Sequence, residues 1–293
     1  MICYIVLHYK VLEETKTCVS SIRNQTSGDS KIIIIDNYSN DGSGETLRDI
    51  YQGQSDVEVL ISQENLGFAR GNNLGYRYAR EQYQPDFMVV MNNDIEIVSQ
   101  NLAQELEDLY QKRPFHVLGP DIYSTSNQLR QNPKRLSPYT YEEVETLHQT
   151  FSKAKEDSLS LRVKCWLKSH VLLRKLVYQR RNKQKKIDFD RNYEDVILHG
   201  SCLIVSRDFI EQEETLFHAG TFFYYEMEIL DFEMRQKGYR SIYSPRIKVL
   251  HHQNVSTNLV YDSLLSKTLF ANRCNYESTG VFLSVMESYG KGG

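Results

Sequence analysis

Apolar positions in the first third of the chain come in short runs separated by stretches of helical period. Cys3 to His8, Lys31 to Asp36 and Phe87 to Asn92 are runs of the kind buried on both faces, and Val57 to Ser62 alternates. Between them Leu12 to Asn24, Gly44 to Tyr51 and Ala69 to Gln82 have helical length and spacing. Strand and helix in alternation predict βαβ units and a mainly parallel sheet covered on both faces. Such a sheet binds ligands beyond the carboxyl ends of its strands, near a point where the strand order reverses. Polar clusters stand at those ends: His8-Tyr9, then Asp36-Asn37-Tyr38-Ser39-Asn40-Asp41-Gly42, Asn65-Leu66-Gly67 and Asn92-Asn93-Asp94.

The rhythm is lost between about 121 and 190. From Arg162 to Lys186 ten basic residues stand without an acid, interleaved with Trp166 and with Leu and Val. Basic plus amphipathic composition predicts attachment to an anionic membrane surface; packing on the core is the competing reading. Sheet-like Leu203-Ile204-Val205 follows Ile197, then an acidic helix near 226 to 237 and a strand-like Ser244 to Leu250. The chain thus divides into an α/β half (1–120), a helical basic insertion (121–195) and a last region with C-terminal helices (196–293), read as one integrated domain.

Composition narrows the partners. At 293 residues, 40% hydrophobic and 25% charged, the chain can bury a sizeable core. A net charge of −3 supplies no attraction for phosphate backbones, so nucleic acid is not an expected partner. The five cysteines show no C-x-x-C pair, which argues against a zinc site or disulfide framework and suits a reducing cytosol. There is no leader pattern, and no apolar run approaches the length of a membrane span. The expected location is cytoplasmic, peripheral on the membrane face if 162–186 attaches there.

Five constellations carry candidate chemistry. Asp94 ends an apolar strand, where a carboxylate needs water, a partner or a metal ion. Carboxylate and amide oxygens are hard ligands that suit Mg²⁺ or Mn²⁺, which bridges protein to substrate phosphates and neutralises a departing diphosphate. Asp36, with Asn37, Ser39 and Asp41 on the same turn, can accept from a uracil or thymine N–H or a ribose hydroxyl; an Asx-turn capping a helix fits the same composition. Asn65 to Asn73 opens a helix whose N–H groups and dipole suit a diphosphate. There Gly71 and Gly75 also fit close helix packing, whereas Asn72 and Asn73 gain little structurally. Glu226 and Glu228 follow the aromatic run Phe222 to Tyr225, placed to take a proton from a sugar hydroxyl; acids favoured at a helix N-terminus are the alternative. Residues i and i+2 point apart, so only one of the two serves as base. His251-His252, after another strand-like run, can complete the metal site; a surface pair is the alternative.

Taken in order, these segments resemble bacterial family 2 glycosyltransferases of the GT-A fold. D-N-Y-S-N-D-G resembles the family's nucleotide-binding turn, and N-L-G-F-A-R-G-N-N resembles a segment of its rhamnosyltransferase-like branch. N-N-D stands where the family's D-x-D metal motif stands. H-G-S-C-L-I-V-S-R is similar to its acceptor-side strand, and F-F-Y-Y-E-M-E-I-L followed by V-L-H-H to its base segment and metal-binding histidine.

The resemblance implies a GT-A-type α/β fold and a metal-dependent, inverting hexosyltransferase. Its donor is a UDP- or dTDP-sugar held by His8, Tyr9, Asp36, Asn37, Ser39, Asp41, Asn65, Gly67, Phe68, Gly71, Asn72, Asn73, Asn92 and Asn93. Mn²⁺ or Mg²⁺ is bound by Asp94 and His251, Gly200, Ser201 and Tyr225 lie on the acceptor side, and Glu226 or Glu228 is the base. The family usually has adjacent acids where this chain has Glu226-Met227. The implied acceptor is a saccharide, with a lipid-linked one in view, in surface or capsular polysaccharide synthesis. The competing functions are an inactive glycosyltransferase-like scaffold, supported by Met227, and a sugar-phosphate nucleotidyltransferase. The latter needs a glycine-rich loop where His8-Tyr9-Lys10-Val11 stands.

Overall fold

A computed structural model describes residues 1–25, 28–169, 187–252 and 263–290. The chain runs from Ile2–His8 (β1) through Leu12–Gln25 (α1) to Ser30–Asp36 (β2), Ser43–Tyr51 (α2), Val57–Ile61 (β3), Gly67–Tyr83 (α3) and Phe87–Asn92 (β4). Ile95–Ile97 (β5), Leu102–Lys112 (α4), Val117–Ser124 (β6) and Leu129–Arg130 (β7) follow, then Tyr141–Ala154 (α5) and Leu159–Ser169 (α6). The remainder is Tyr193–Glu194 (β8), Cys202–Ser206 (β9), Arg207–Gln212 (α7), Glu226–Gln236 (α8), Ser241–His251 (β10) and Leu264–Ser288 (α9).

One mixed sheet orders its strands β3-β2-β1-β4-β9-β6-β10-β5, with β7 added beside β6 and β8 beside β10. β1 pairs in parallel with both β2 and β4, and β2 with β3. The chain steps outward from β1 to β3 and then crosses back to β4, so the order reverses between β1 and β4. This is the expected ligand-binding crevice. At its mouth Leu7 lies opposite Asn92 and His8 opposite Asp36. β9 runs antiparallel between β4 and β6, and the antiparallel pairing of β10 with β5 sets His251 opposite Ile95, one residue beyond Asp94.

The run Ile32 to Ile35 is buried on both sides because each face of the sheet has its own helical layer. Tyr4, Val6, Ile32, Ile34, Val89 and Met91 face Cys18, Val19, Ile22, Leu47 and Leu106 of α1, α2 and α4. The alternate residues Cys3, Ile5, Ile33, Ile35, Met88 and Val90 face Ala69, Tyr76, Phe209 and Leu230 of α3, α7 and α8. Each fully buried isoleucine contributes about 1.5–3 kcal/mol, which accounts for the lack of polar alternation. α3 lies so near the sheet that a Cβ at Gly75 would strike Ile5 and Ile35.

The chain forms two compact units, Met1–Tyr139 with Phe189–Ser256, and Thr140–Asp188 with Thr257–Gly293. These limits differ from the three segments read along the sequence. β6, β7 and the loop to Tyr139 join the sheet through the pairing of β6 with β10, a contact too distant in sequence to leave a local period. In the second unit α5 starts on a capping box of Thr140 and Glu143. Its His148 ring stacks on Tyr276 of α9 and bonds the Thr279 hydroxyl at 3.0 Å. Of the basic stretch, α6 is described as far as Ser169, with Val163 and Trp166 exposed; residues 170–186 lie outside the described residues.

Candidate active site

The crevice between β1 and β4 is framed first by His8. Its ring nitrogens bond the hydroxyls of Thr15 at 2.7 Å and Ser43 at 2.9 Å, tying β1 to the first turns of α1 and α2. Burial pushes its pKa down to about 4, so the ring is neutral near pH 7. His8, expected among the donor contacts, is fully buried and spends both nitrogens as a strut. Tyr9 beside it is half-buried, with the Lys10 ammonium over its ring.

After β2 the polar turn is bonded to itself. Asp36 accepts from the Ser39 hydroxyl and rests against Gly44, where a Cβ would collide with its carboxylate. Burial raises the Asp36 pKa against the lowering effect of Ser39. Asp41 accepts from the backbone N–H of Ser43 at 3.0 Å. Those two bonds answer the second alternative posed by the sequence, an Asx-type turn opening α2. Asn37 reaches across to α3, donating to the Gly67 carbonyl at 3.0 Å and accepting from Leu66 N–H at 2.9 Å.

Gly67 begins α3 with φ +72°, and a Cβ there would run into the Phe222 carbonyl oxygen; the next amide, of Phe68, donates to that oxygen at 2.8 Å. Asn65 accepts from Gly67 N–H, and Phe68 packs on Phe217 and Phe223. Gly71 packs against Leu7 and Asn37. Asn72 donates to the Phe68 carbonyl, while its Oδ1 is buried without a hydrogen-bond donor among the described residues. Asn73, expected to gain little structurally, is instead fully bonded. It donates to the Phe217 carbonyl at 2.7 Å and accepts from Leu216 N–H at 3.1 Å and Phe217 N–H at 2.9 Å. Its amide is consumed in bracing the segment that leads to α8.

At the end of β4, Asn92 N–H donates to the Ser201 carbonyl and Asn93 donates to Thr15. Asp94 is 9% exposed and its Oδ1 has no hydrogen-bond donor among the described residues. That oxygen lies 3.3 Å from Nε2 of His251, whose Nδ1 is 2.7 Å from the Gln131 side-chain oxygen. An Nδ1–H donated to Gln131 leaves the Nε2 lone pair facing a carboxylate oxygen. Two acceptors turned toward each other are reconciled by a cation, and the carboxylate–imidazole pair suits Mn²⁺ or Mg²⁺ with open positions for phosphate oxygens. Among the described residues no group of three or more His, Cys, Asp or Glu side chains could hold an ion.

At the residues expected to face an acceptor, α8 starts after two residues of positive φ, Tyr224 (+72°) and Tyr225 (+65°). Glu226 and Glu228 are 6% and 3% exposed, and each leaves one carboxylate oxygen without a donor among the described residues. Burial, with a smaller contribution from Glu228, holds the Glu226 pKa up at about 7. Met227 is turned the other way, into the apolar layer and against Gly200, where a Cβ would sit 3.2 Å from its side chain. Ser201 bonds the His199 ring, which stands edge-on to His251 at 5.9 Å.

Two residues have no counterpart in the sequence reading, Gln131 and Lys134. The Lys134 ammonium lies 2.5 Å from Glu228 Oε1. Both come from the loop after β7, in Gln131-Asn132-Pro133-Lys134, a polar clump in the stretch without periodicity. Only that clumping marked them, because neither has a spacing relation to Asp94 or Glu228.

With this geometry in view, residues 3–214 match the family model for glycosyl transferase family 2. The low-salt glycan biosynthesis hexosyltransferase Agl10 of Haloferax volcanii is 29% identical over 40% of this chain and 35% of its own length. The uncharacterized glycosyltransferase EpsJ of Bacillus subtilis is 26% identical over 51% of this chain and 44% of its own. The matched stretches thus span less than half of these curated relatives. Among solved structures, GalNAc-T7 with UDP, GalNAc and Mn²⁺ superposes with a TM-score of 0.59 at 12% identity, over 98% of this chain and 48% of that one. The Pyrobaculum calidifontis mannosyltransferase PcManGT, with GDP-Man and Mn²⁺, gives 0.52 at 12% over 99% and 75%. At that identity the structures speak to the fold, which is of the GT-A type. No helix of the described residues is long and apolar enough to cross a membrane. By the extent of the family match, the chain belongs to glycosyl transferase family 2.

Proposed function

We propose that this glycosyltransferase moves a hexosyl group from a nucleoside-diphosphate sugar to a saccharide hydroxyl with inversion at the anomeric carbon. The nucleoside lies over the Asp36–Asp41 turn, and the diphosphate lies between the start of α3 and Asp94. Asp94 and His251 would hold a divalent cation, which when bound would supply positive charge against the departing diphosphate. Glu226 takes the proton from the attacking hydroxyl as that oxygen closes on the anomeric carbon. Loss of the proton at the moment of attack leaves a neutral glycoside and the nucleoside diphosphate. His8, Asn37 and Asn73 hold the surrounding turns in place. An acceptor carried on a lipid at the cytoplasmic membrane face, in polysaccharide synthesis, agrees with the basic composition of 162–186.

The observation that carries this reading is the Asp94 oxygen without a donor, 3.3 Å from a histidine nitrogen at the β1/β4 reversal. The scaffold alternative loses its main support, since Met227 serves the core and leaves Glu226 available as base. A thermal-shift panel of UDP-, dTDP- and GDP-sugars, each with Mn²⁺ and with chelator, tests the proposal, because a ligand of the native state raises its melting temperature. One nucleotide class should raise Tm only with Mn²⁺, and Asp94→Asn should abolish the metal requirement along with the shift. An equal shift in chelator, unchanged in Asp94→Asn, refutes the metal assignment.

A further inference from the structure

Two buried carboxylates on the first turn of one helix are an unstable arrangement. Glu226 and Glu228 are nearly inaccessible, and like charges in such a setting share a proton unless a cation intervenes. The cation arrives from 92 residues earlier in the chain, on the loop that ends with Lys134. This loop is fixed along its whole length. Gln131 N–H donates to the Ile122 carbonyl at 2.9 Å and Lys134 N–H to the Ile197 carbonyl at 2.8 Å. Asn132, fully buried, donates to the Pro120 carbonyl at 2.7 Å and accepts from His199 N–H at 3.0 Å. The side chains at its two ends point to the two halves of the site, Gln131 to His251 and Lys134 to Glu228.

We infer that Lys134 is a positioning residue of this transferase: by clamping Glu228 Oε1 it fixes that carboxylate and sets a cation beside it, and it leaves Glu226 as the one carboxyl that exchanges a proton with the acceptor. The inference rests on the proposed function for the word acceptor, but the coupling among the three charges stands without it. The Lys134 side chain is 46% exposed, and its ammonium end, partly desolvated beside the carboxylates, is held by Glu228 more firmly than an ordinary lysine. Among the described residues, Tyr139 acts on Lys134, and Glu228 in turn acts on Tyr225 and on Asp231 of the next turn, which is tied to Arg235 at 2.9 Å. The Lys134 charge in turn helps burial and His251 to keep His199 neutral. Thr221 is the hydroxyl beside Glu226.

Opposite substitutions on the pair should move the same titration in opposite directions. In Lys134→Met the Glu226 carboxyl faces an uncompensated Glu228, and its titration should rise by about one pH unit or more. In Glu228→Gln the ammonium turns wholly to Glu226, and the titration should fall below that of the wild type. Lys134→Arg, which keeps the charge, should titrate near the wild type, and Lys134→Met with Glu228→Gln should lie between the single variants. The readout is the carbon-13 carboxyl shift of Glu226 against pH in the full chain, assigned by its loss in Glu226→Gln. Alongside it, the acidic limb of Mn²⁺-dependent hydrolysis is followed for whichever sugar nucleotide the panel identifies. A role confined to holding the loop predicts lower Tm with no displacement of either curve, and that result overturns the inference. If Lys134→Met does not fold, Lys134→Arg and Glu228→Gln still decide it by the sign of their shifts. If no sugar nucleotide is turned over but the carboxyl shifts move as stated, the proposed function fails while the three-charge coupling stands.

Discussion

Glu226→Gln offers a double signature, because the group proposed as base is also one the fold holds at a cost. Its carboxyl titrates at about 7, against an ordinary 4.5, chiefly through burial. A carboxyl whose folded pKa exceeds its unfolded value favours the folded state at low pH; that advantage disappears as pH rises from 4.5 through 7. Above 7 the ionised group penalises the native state by on the order of 3 kcal/mol, at 1.36 kcal/mol per pH unit. The amide of Gln has nearly the same shape and no charge. Glu226→Gln should therefore raise the stability of the sheet-bearing unit by about 3 kcal/mol at pH 8.5, or roughly 6–12 °C in Tm, and by almost nothing at pH 4. The same variant should lose about 10²- to 10⁴-fold in kcat/KM, with nucleotide-dependent thermal shifts retained. In the wild type kcat/KM should fall as pH drops below about 7, since the base must be ionised in the unliganded enzyme. Differential scanning fluorimetry from pH 4 to 8.5, beside donor turnover, measures both. A stability difference that does not change with pH, or a fully active variant, would refute the reasoning, and an inactive Glu228→Gln beside an active Glu226→Gln would move the base to Glu228.

Two further outcomes test the frame of the site. Gly67→Ala places a Cβ against the Phe222 carbonyl in a left-handed backbone conformation, and should lower stability by about 1–3 kcal/mol in urea unfolding while raising KM for the donor. Asn73→Ala removes three hydrogen bonds to Leu216 and Phe217. A loss on the order of 2–4 kcal/mol is expected, with affinity for the nucleotide alone changed little, because the Asn73 amide is spent on bracing the route to α8. An Asn73→Ala protein as stable as the wild type, with nucleotide binding lost, would restore the original expectation of a donor contact.

Much of the parallel half was legible along the chain because it is built from local periods. The runs ending at His8, Asp36 and Asn92 became β1, β2 and β4, and the polar residues past them lie at the mouth of the β1/β4 crevice. The composition of the turn after Asp36 left two readings open, and its own hydrogen bonds supply the turn. The expectation that Asn73 gains little structurally was overturned for a physical reason: its partners at Leu216 and Phe217 lie more than 140 positions away and leave no trace among its neighbours along α3.

Local chemistry was sufficient to place Asp94 at the end of a buried strand and Glu226 at the head of a helix, since both placements follow from which residues neighbour each other along the backbone. Proximity across the sheet had no such trace. The approach of His251 to Asp94 comes from β10 pairing with β5, and the meeting of Lys134 with Glu228 from a loop anchored on Ile122 and Ile197. Which of two acids carries the exchangeable proton depends on burial and on a cation contributed from elsewhere, and those quantities exist only once the chain has folded.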